Sequence, residues 1–509
     1  MEGSASPYDR LQRLLIEMSH LTAASNVLQY DMETVMPEAG AEARGKTLAF
    51  LAGAIHDKLV APESWEVMYR LKEELDRGNL DELQAAVVRS AWREFSREIR
   101  LPGCLVREMT EAEIATQNAW RKGKRDKDSG PVMPLFERLV DLKRQAAEEL
   151  ARTPHGRDDF FSPYNALLDI FEPGMTAERV AHEFAPLRDF LRDLVRRIGA
   201  SPQKIDPGDR RITADIALQE KLNLEIAKIM GFDFNAGRLD RSTHPFTLRL
   251  HPGDTRITTR YALGDMFSSL SAAMHETGHG MYEQAMPLEL FWTGAGHVPS
   301  FGIHESQSRL WENMVGRSQA FIRFLCQRMW ALGILNIQDT DAFYRAVNAV
   351  QPSLIRVEAD EVTYNLHVIL RFELEHNLIN GWLQVKDLRD AWNEKMTDYL
   401  GVEVPDDFSG FLQDTHWPSG MFGYFPTYTI GTLYSAQLFD AAKRDVPDLE
   451  EGFARGEFAP LLEWLRANVF VHAGMLPADE IIARATGYSL DVTCWMDYIT
   501  RKYGAIYGL

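Results

Sequence analysis

Apolar residues recur at helical spacing from the start of the chain. Leu11, Leu14, Leu15, Met18 and Leu21 fall on one face of a 3.6-residue helix, and the pattern continues through the N-terminal third. It breaks at Met36-Pro37, at Leu101-Pro102-Gly103 and over residues 121–130. Further breaks fall at Ser162-Pro163, Glu172-Pro173-Gly174 and Asp206-Pro207-Gly208. Proline disfavours helix in the residue before it and glycine weakens helices, so these positions predict element ends. Residues 121–130 interleave acids with bases, which predicts a solvated loop rather than a basic binding patch. Beyond residue 305 the helical period returns to about residue 400. A glycine- and aromatic-rich loop follows over residues 408–428, then helices to the C-terminus.

One segment has a different period. Residues 246–250 and 255–259 have strand-like composition and are split by His251-Pro252-Gly253-Asp254, a β-hairpin signal. No internal repeat or low-complexity tract is present. The pattern predicts a mainly α protein with one small β-sheet and a site between helical lobes. A strand edge beside that site could hold an extended peptide by main-chain hydrogen bonds.

Just after the hairpin stands His275-Glu276-Thr277-Gly278-His279, an HExxH segment in a helix-compatible, mostly apolar run. Positions i and i+4 share a helix face, so the two imidazoles can converge on one ion. The glutamate between them can polarise a water there. Two histidines and a glutamate in a buried helix are costly unless something pairs with them, and a metal would. A catalytic zinc site needs a third protein ligand. Glu305, in His304-Glu305-Ser306, lies 26 residues after His279 (305 − 279). That gap allows a loop and a second helix to bring a carboxylate back. Glu312 is the competing third ligand on the same helix, and His304 is a candidate to orient a ligand or touch substrate.

Bulk properties restrict the class further. The chain has 509 residues and a net charge of −19, with a pI near 5.3. An acidic surface argues against nucleic-acid binding. No apolar run reaches the roughly 18 residues of a membrane span, and the first seven residues lack the pattern of a secretory leader. Three widely spaced cysteines, Cys104, Cys326 and Cys494, with no CxxC pair, read as reduced, structural and cytosolic.

Further segments carry polar groups. Arg356 can bind a carboxylate with two parallel hydrogen bonds, or pair with Asp360 at i,i+4 spacing. His416 and Tyr424 sit in the glycine-punctuated loop, where they could aim at the charge that develops on a hydrolysed carbonyl oxygen, or simply pack.

Taken in order, the motifs are His244-Pro245-Phe246, Asp254-Thr255-Arg256-Ile257-Thr258, His275 to His279, His304-Glu305-Ser306, Ile355-Arg356 with Ala359-Asp360, and Gly410-Phe411-Leu412-Gln413-Asp414-Thr415-His416-Trp417. The chain resembles the carboxypeptidase Taq family of metallocarboxypeptidases (thermostable carboxypeptidase 1-like), which carries HPF, DxRxT, HExxH, HES, IRxxAD and GxxQDxHW in this order. With Tyr30 to Pro37 also family-like, the resemblance spans essentially the whole chain. It implies a large, mainly helical catalytic domain over residues 1–509, with two helical lobes flanking a deep groove, as in neurolysin and angiotensin-converting enzyme. It implies release of single C-terminal residues from peptides with a free carboxylate, with broad specificity and poor action after proline. The implied cofactor is one zinc ion per chain, with cobalt as the alternative, and the implied assembly is a cytoplasmic homodimer. Carried onto this sequence, His275, His279 and Glu305 are the ligands and Glu276 is the general base. His416 and Tyr424 resemble the donors that stabilise the tetrahedral intermediate. Arg356 or its rival Arg256 reads the substrate carboxylate, with His244, His304, Gln413 and Asp414 as further substrate-binding candidates. The competing readings are an oligopeptidase on the same fold, a non-catalytic peptide-binding protein and an aminopeptidase.

Overall fold

The first helix, Pro7–Thr34, starts at a reciprocal capping box: the Ser6 side chain accepts from the Asp9 amide, and the Asp9 carboxylate accepts from the Ser6 amide. It buries Leu11, Leu15 and Met18, the stripe that the apolar spacing defines. In this computed structural model residues 6–152, 162–334, 337 and 339–509 are described. Residues 1–5, part of the segment read for a leader, lie outside them.

Helices follow at Ala41–Val60, Pro62–Asp76, Glu82–Arg100, Gly103–Asp126, Met133–Ala151, Pro163–Phe171, Ala177–Ala200 and Ile216–Met230. The predicted breaks at Pro37, Pro102, Pro163 and Pro173 all coincide with element ends. The predicted loop over residues 121–130 is a correction, since the helix runs on to Asp126 and ends where Lys127 turns left-handed at φ 55°. The charged residues there flank a buried Gly123, which lies against Phe408 and Val132. Close packing on that face outweighs the solvated composition of the other.

Among the described residues there is one sheet, of three strands. β1 (Gly237–Arg241), β2 (Thr247–His251) and β3 (Asp254–Thr259) are ordered β1-β3-β2. The hairpin is β2 with β3, antiparallel with Thr247 opposite Ile257 and an irregularity between Arg249 and His251. β1 pairs parallel to β3 and has no counterpart in the hydrophobic pattern. Its sequence, Gly-Arg-Leu-Asp-Arg, lacks β-branched residues, and its register comes from pairing with the buried β3.

The sheet lies against the motif helix, Met266–Gln284, which is capped by Asp265 and buried along most of its length. The HES helix, Phe301–Arg309, is capped by Ser300 and runs into a π-helical stretch, Leu310–Val315. Such stretches often mark functional sites. Two glycines set the spacing around it. A Cβ on Gly278 would lie 2.7 Å from the Gln307 carbonyl oxygen. A Cβ on Gly431, in the helix Pro426–Asp445, would lie 2.7 Å from both Cβ and Cγ of Glu305. The HES helix is therefore wedged between two helices whose closest contacts are glycine.

The main core runs from Val132 to Tyr507 and surrounds these helices. A separate core, including Leu11, Met68, Val87, Val88 and Phe95, belongs to the N-terminal helices and includes Ala295 from the loop before the HES helix.

Candidate metal centre

The HExxH spacing places both imidazoles on one face of the motif helix, as i,i+4 geometry requires. Nε2 of His275 lies 3.7 Å, and Nε2 of His279 3.5 Å, from the same carboxylate oxygen, Oε2 of Glu305. One ligand atom from each of the three residues lies within 4.8 Å of the others. Ligands about 2.1 Å from a tetrahedral ion stand roughly 3.4 Å apart. Two imidazole nitrogens and one carboxylate oxygen at this spacing fit a zinc-type divalent cation.

The groups behind the three donors fix their orientation. Nδ1 of His275 faces Oε2 of Glu312 at 2.9 Å, which leaves Nε2 free to point inward. Glu312, the competing third ligand from spacing alone, is thus on the outer side of the His275 ring. Its other oxygen accepts from the Ser271 hydroxyl at 3.0 Å. Arg309 donates from Nε to Oε1 of Glu305 at 3.0 Å and from Nη1 to Oε2 of Glu312 at 3.4 Å. Arg309 therefore occupies one oxygen of Glu305 and leaves the other facing the histidines. His304 stacks on His279 with ring centroids 4.1 Å apart. Its Nε2 lies 3.2 Å from Glu283, which pairs with Arg249 of β2 at 2.9 Å. Strand, motif helix and HES helix are thus joined by one chain of polar contacts.

Electrostatics follow from this geometry. Burial works against a charge on His275, but Glu305 and Glu312 outweigh it and hold the pKa up to about 9. His279 is pushed down to about 3 by burial and by His304. The histidine pair and Arg309 hold Glu305 well below the usual carboxylate range, although burial opposes them. A pocket that stabilises a positive charge on His275 and an anionic Glu305 is one where a cation fits. Glu276 is buried; burial raises its pKa, while His275 and the Thr247 hydroxyl oppose the rise. That hydroxyl donates to Oε2 of Glu276 at 2.6 Å, so the edge strand β2 holds the carboxylate.

Arg356 is not in an α-helix and does not meet Asp360. It sits in a 3₁₀ turn, Arg356–Glu358, and donates to Asp414, with Nη2 to Oδ1 at 2.8 Å, and to the Tyr364 hydroxyl at 3.0 Å. Asp360 instead accepts from the amides of Gln351, Val362 and Thr363. Asp414 also takes Arg371, at 2.8 Å. Gln413 is buried and engages the chain's own backbone at Arg356, Leu354 and Ser409. Arg256 pairs with Asp254 at 2.9 Å and lies over the Tyr30 ring. His244 is exposed, in a bend between β1 and β2.

His416 and Tyr424 come together, their rings 5.4 Å apart, with Nε2 of His416 3.1 Å from the Tyr428 hydroxyl. Burial lowers the His416 pKa to about 3, so the ring is neutral. Burial, with the charge of Glu305, raises that of Tyr424. Thr247, Arg309, Glu283, Arg249 and Tyr364 join the site beyond the residues that the sequence pattern marked. The partners of Thr247, Glu283 and Arg249 are remote in the chain, whereas Arg309 stands at i,i+4 and i,i+3 spacing from Glu305 and Glu312, a local signal that could have found it.

A mainly helical chain with one small sheet among its described residues, whose HExxH helix meets a carboxylate from a second helix, has the architecture of a metallopeptidase. The sequence matches the Carboxypeptidase Taq (M32) metallopeptidase family over residues 10–503, and the chain belongs to that family. Thermostable carboxypeptidase 1 of Thermus thermophilus is 38% identical over 506 residues, covering 98% of this chain and 99% of that protein. Carboxypeptidase 1 of Bacillus subtilis is 34% identical, covering 97% and 98%. The crystal structure of the M32 carboxypeptidase from Deinococcus radiodurans R1 superposes with a TM-score of 0.92 at 36% identity, covering 99% of this chain and 100% of that one. The chain is a metallocarboxypeptidase, acting on peptides and requiring a metal ion. No helix among the described residues is long and apolar enough to cross a membrane.

Proposed function

We propose that this protein removes single residues from the C-termini of peptides, with broad side-chain preference and poor action after proline, using one zinc ion held by His275, His279 and Glu305. Cobalt is the alternative ion. The observation that carries the reading is the convergence of two imidazole nitrogens and one carboxylate oxygen on a single point. A divalent ion bound there supplies Lewis acidity to an attacking water and to the scissile carbonyl.

The chain's own groups do the rest. Glu276, steadied by Thr247, takes a proton from the attacking water and passes it to the leaving amine. Neutral His416 and the protonated Tyr424 hydroxyl donate to the oxygen that becomes negative. Arg256 reads the substrate carboxylate; each arginine already holds an aspartate, Asp254 or Asp414, but the Arg256 side chain is 22% exposed against 5% for Arg356. His304 braces His279, and Gln413 and Asp414 brace Arg356. The catalytic unit is one domain over residues 1–509, with the N-terminal helices and their separate core as one lobe. It works as a homodimer, as the family resemblance implies, in the cytoplasm, a reducing compartment that suits three cysteines forming no disulfide.

Mass spectrometry of a mixed peptide pool, with and without added zinc or cobalt, tests this reading. The expected result is a ladder shortened one residue at a time from the C-terminus, blocked by C-terminal amidation. Cleavage of amidated peptides or release of dipeptides would instead establish an oligopeptidase.

A further inference from the structure

Glu375 lies in the helix Tyr364–Ile379, fully buried, and takes no part in the steps above. Its carboxylate accepts three hydrogen bonds. Oε1 takes the Tyr164 hydroxyl at 2.6 Å and the Gly423 amide at 3.2 Å; Oε2 takes the Trp417 indole N–H at 2.9 Å. Trp417 directly follows His416, and Gly423 directly precedes Tyr424. One carboxylate therefore grips both flanks of the segment that carries the two oxyanion donors.

The segment is pinned from the other side as well. Gly423 is left-handed at φ +88°, and a Cβ there would lie 2.7 Å from the Leu167 carbonyl carbon. Leu167 belongs to the helix Pro163–Phe171, which also supplies Tyr164 to Glu375 and Phe171 to the Tyr424 ring, 5.0 Å away. The loop is thus held between a backbone wall and a three-way acceptor. An ionised carboxylate suits that position because it only accepts, and all three groups bonded to it donate. Burial pushes the Glu375 pKa up to about 7, against the pull of those three donors, so the group is ionised in mildly alkaline solution. A buried carboxylate is otherwise expensive to keep.

From this geometry we propose that Glu375 is a positioning residue for catalysis, fixing His416 and Tyr424 relative to the metal ligands through Trp417 and Gly423. The proposal rests on the reading of His416 and Tyr424 as oxyanion donors. Displacing such groups by about 1 Å costs on the order of 100-fold in rate. The effect should fall on the transition state and leave ground-state binding alone.

The test compares Glu375→Gln with wild-type enzyme in mildly alkaline buffer. It measures kcat, KM on a free-carboxylate peptide, zinc affinity by chelator competition, and inhibition by a phosphinic peptide that mimics the tetrahedral intermediate. The substitution replaces one accepting oxygen by an amide N–H that faces a donor. The expected kcat loss is on the order of 100-fold, with the phosphinic inhibitor weakened in proportion and KM and zinc affinity within about twofold. Unchanged kcat, or a loss matched by an equal loss of zinc affinity, overturns the proposal. Trp417→Phe removes one tether while keeping the carboxylate and guards against misfolding of E375Q. It should lower kcat roughly 10-fold in the same pattern, and unchanged kcat there also overturns the proposal. His416→Ala and Tyr424→Phe separate the two readings. If both retain full kcat, the donor assignment fails; if they lose it and E375Q does not, the positioning role alone fails.

Discussion

Nδ1 of His275 and Oε2 of Glu312 stand 2.9 Å apart, on the opposite edge of the imidazole from Glu305. Such a carboxylate behind a metal-binding histidine fixes its tautomer and raises its basicity. Glu312→Gln should therefore weaken zinc affinity by roughly 10- to 100-fold without removing a ligand. Chelator competition measures this directly. Wild-type affinity in the variant would mean that Glu312 contributes only to packing.

Glu276 is buried beside the three donors and held by Thr247. Glu276→Gln keeps the shape and the hydrogen bond from Thr247 but cannot take a proton. Turnover should fall by at least about 100-fold while one metal ion per chain is retained. Elemental analysis with a peptidase assay checks both halves, and substantial residual activity would refute the assigned base.

Gly431 abuts Glu305 so closely that a methyl group there must displace the carboxylate or the helix. Gly431→Ala should cost about 1–3 kcal/mol of stability, as overpacked cores do, and weaken zinc binding as well. Thermal denaturation with and without zinc would show it, the zinc-dependent gain being smaller in the variant. An equal gain would mean that the helices absorb the methyl elsewhere.

Glu172 is buried at the start of the HES helix, where its carboxylate accepts from the Gly302 amide. Burial pushes its pKa up to about 8 from an ordinary 4.5, although Ser300 and Gly302 oppose the rise. The folded protein therefore holds a proton that the unfolded chain has lost between those values. The stability this gives is fully present below pH 4.5 and disappears as pH rises through about 8. Glu172→Gln should flatten the fall of Tm across this interval. Parallel Tm curves for variant and wild type would show that Glu172 does not titrate there.

The legible parts of the molecule are those encoded over one or two helical turns. The apolar stripe of Pro7–Thr34, the proline-marked helix ends and the β2–β3 hairpin depend on neighbours in sequence. β1 is invisible to such patterns, because its residues are strand-forming only when paired with β3. Residues 121–126 have the composition of a loop yet form helix, because the packing of Gly123 against Phe408 links positions far apart in the chain.

By itself the sequence determined the two imidazoles on one helical face, since 3.6 residues per turn places i and i+4 together whatever surrounds them. It also supplied two carboxylates, Glu305 and Glu312, on the following helical segment. Only the tertiary structure decided that Glu305 faces both rings while Glu312 stands behind His275, and that Arg356 meets Asp414 rather than Asp360. Those choices depend on how closely two helices approach and at what rotation. Glycines at 278 and 431 set that approach through contacts between segments distant in the chain, and Arg309, one turn along from Glu305, clamps the carboxylate once it is there.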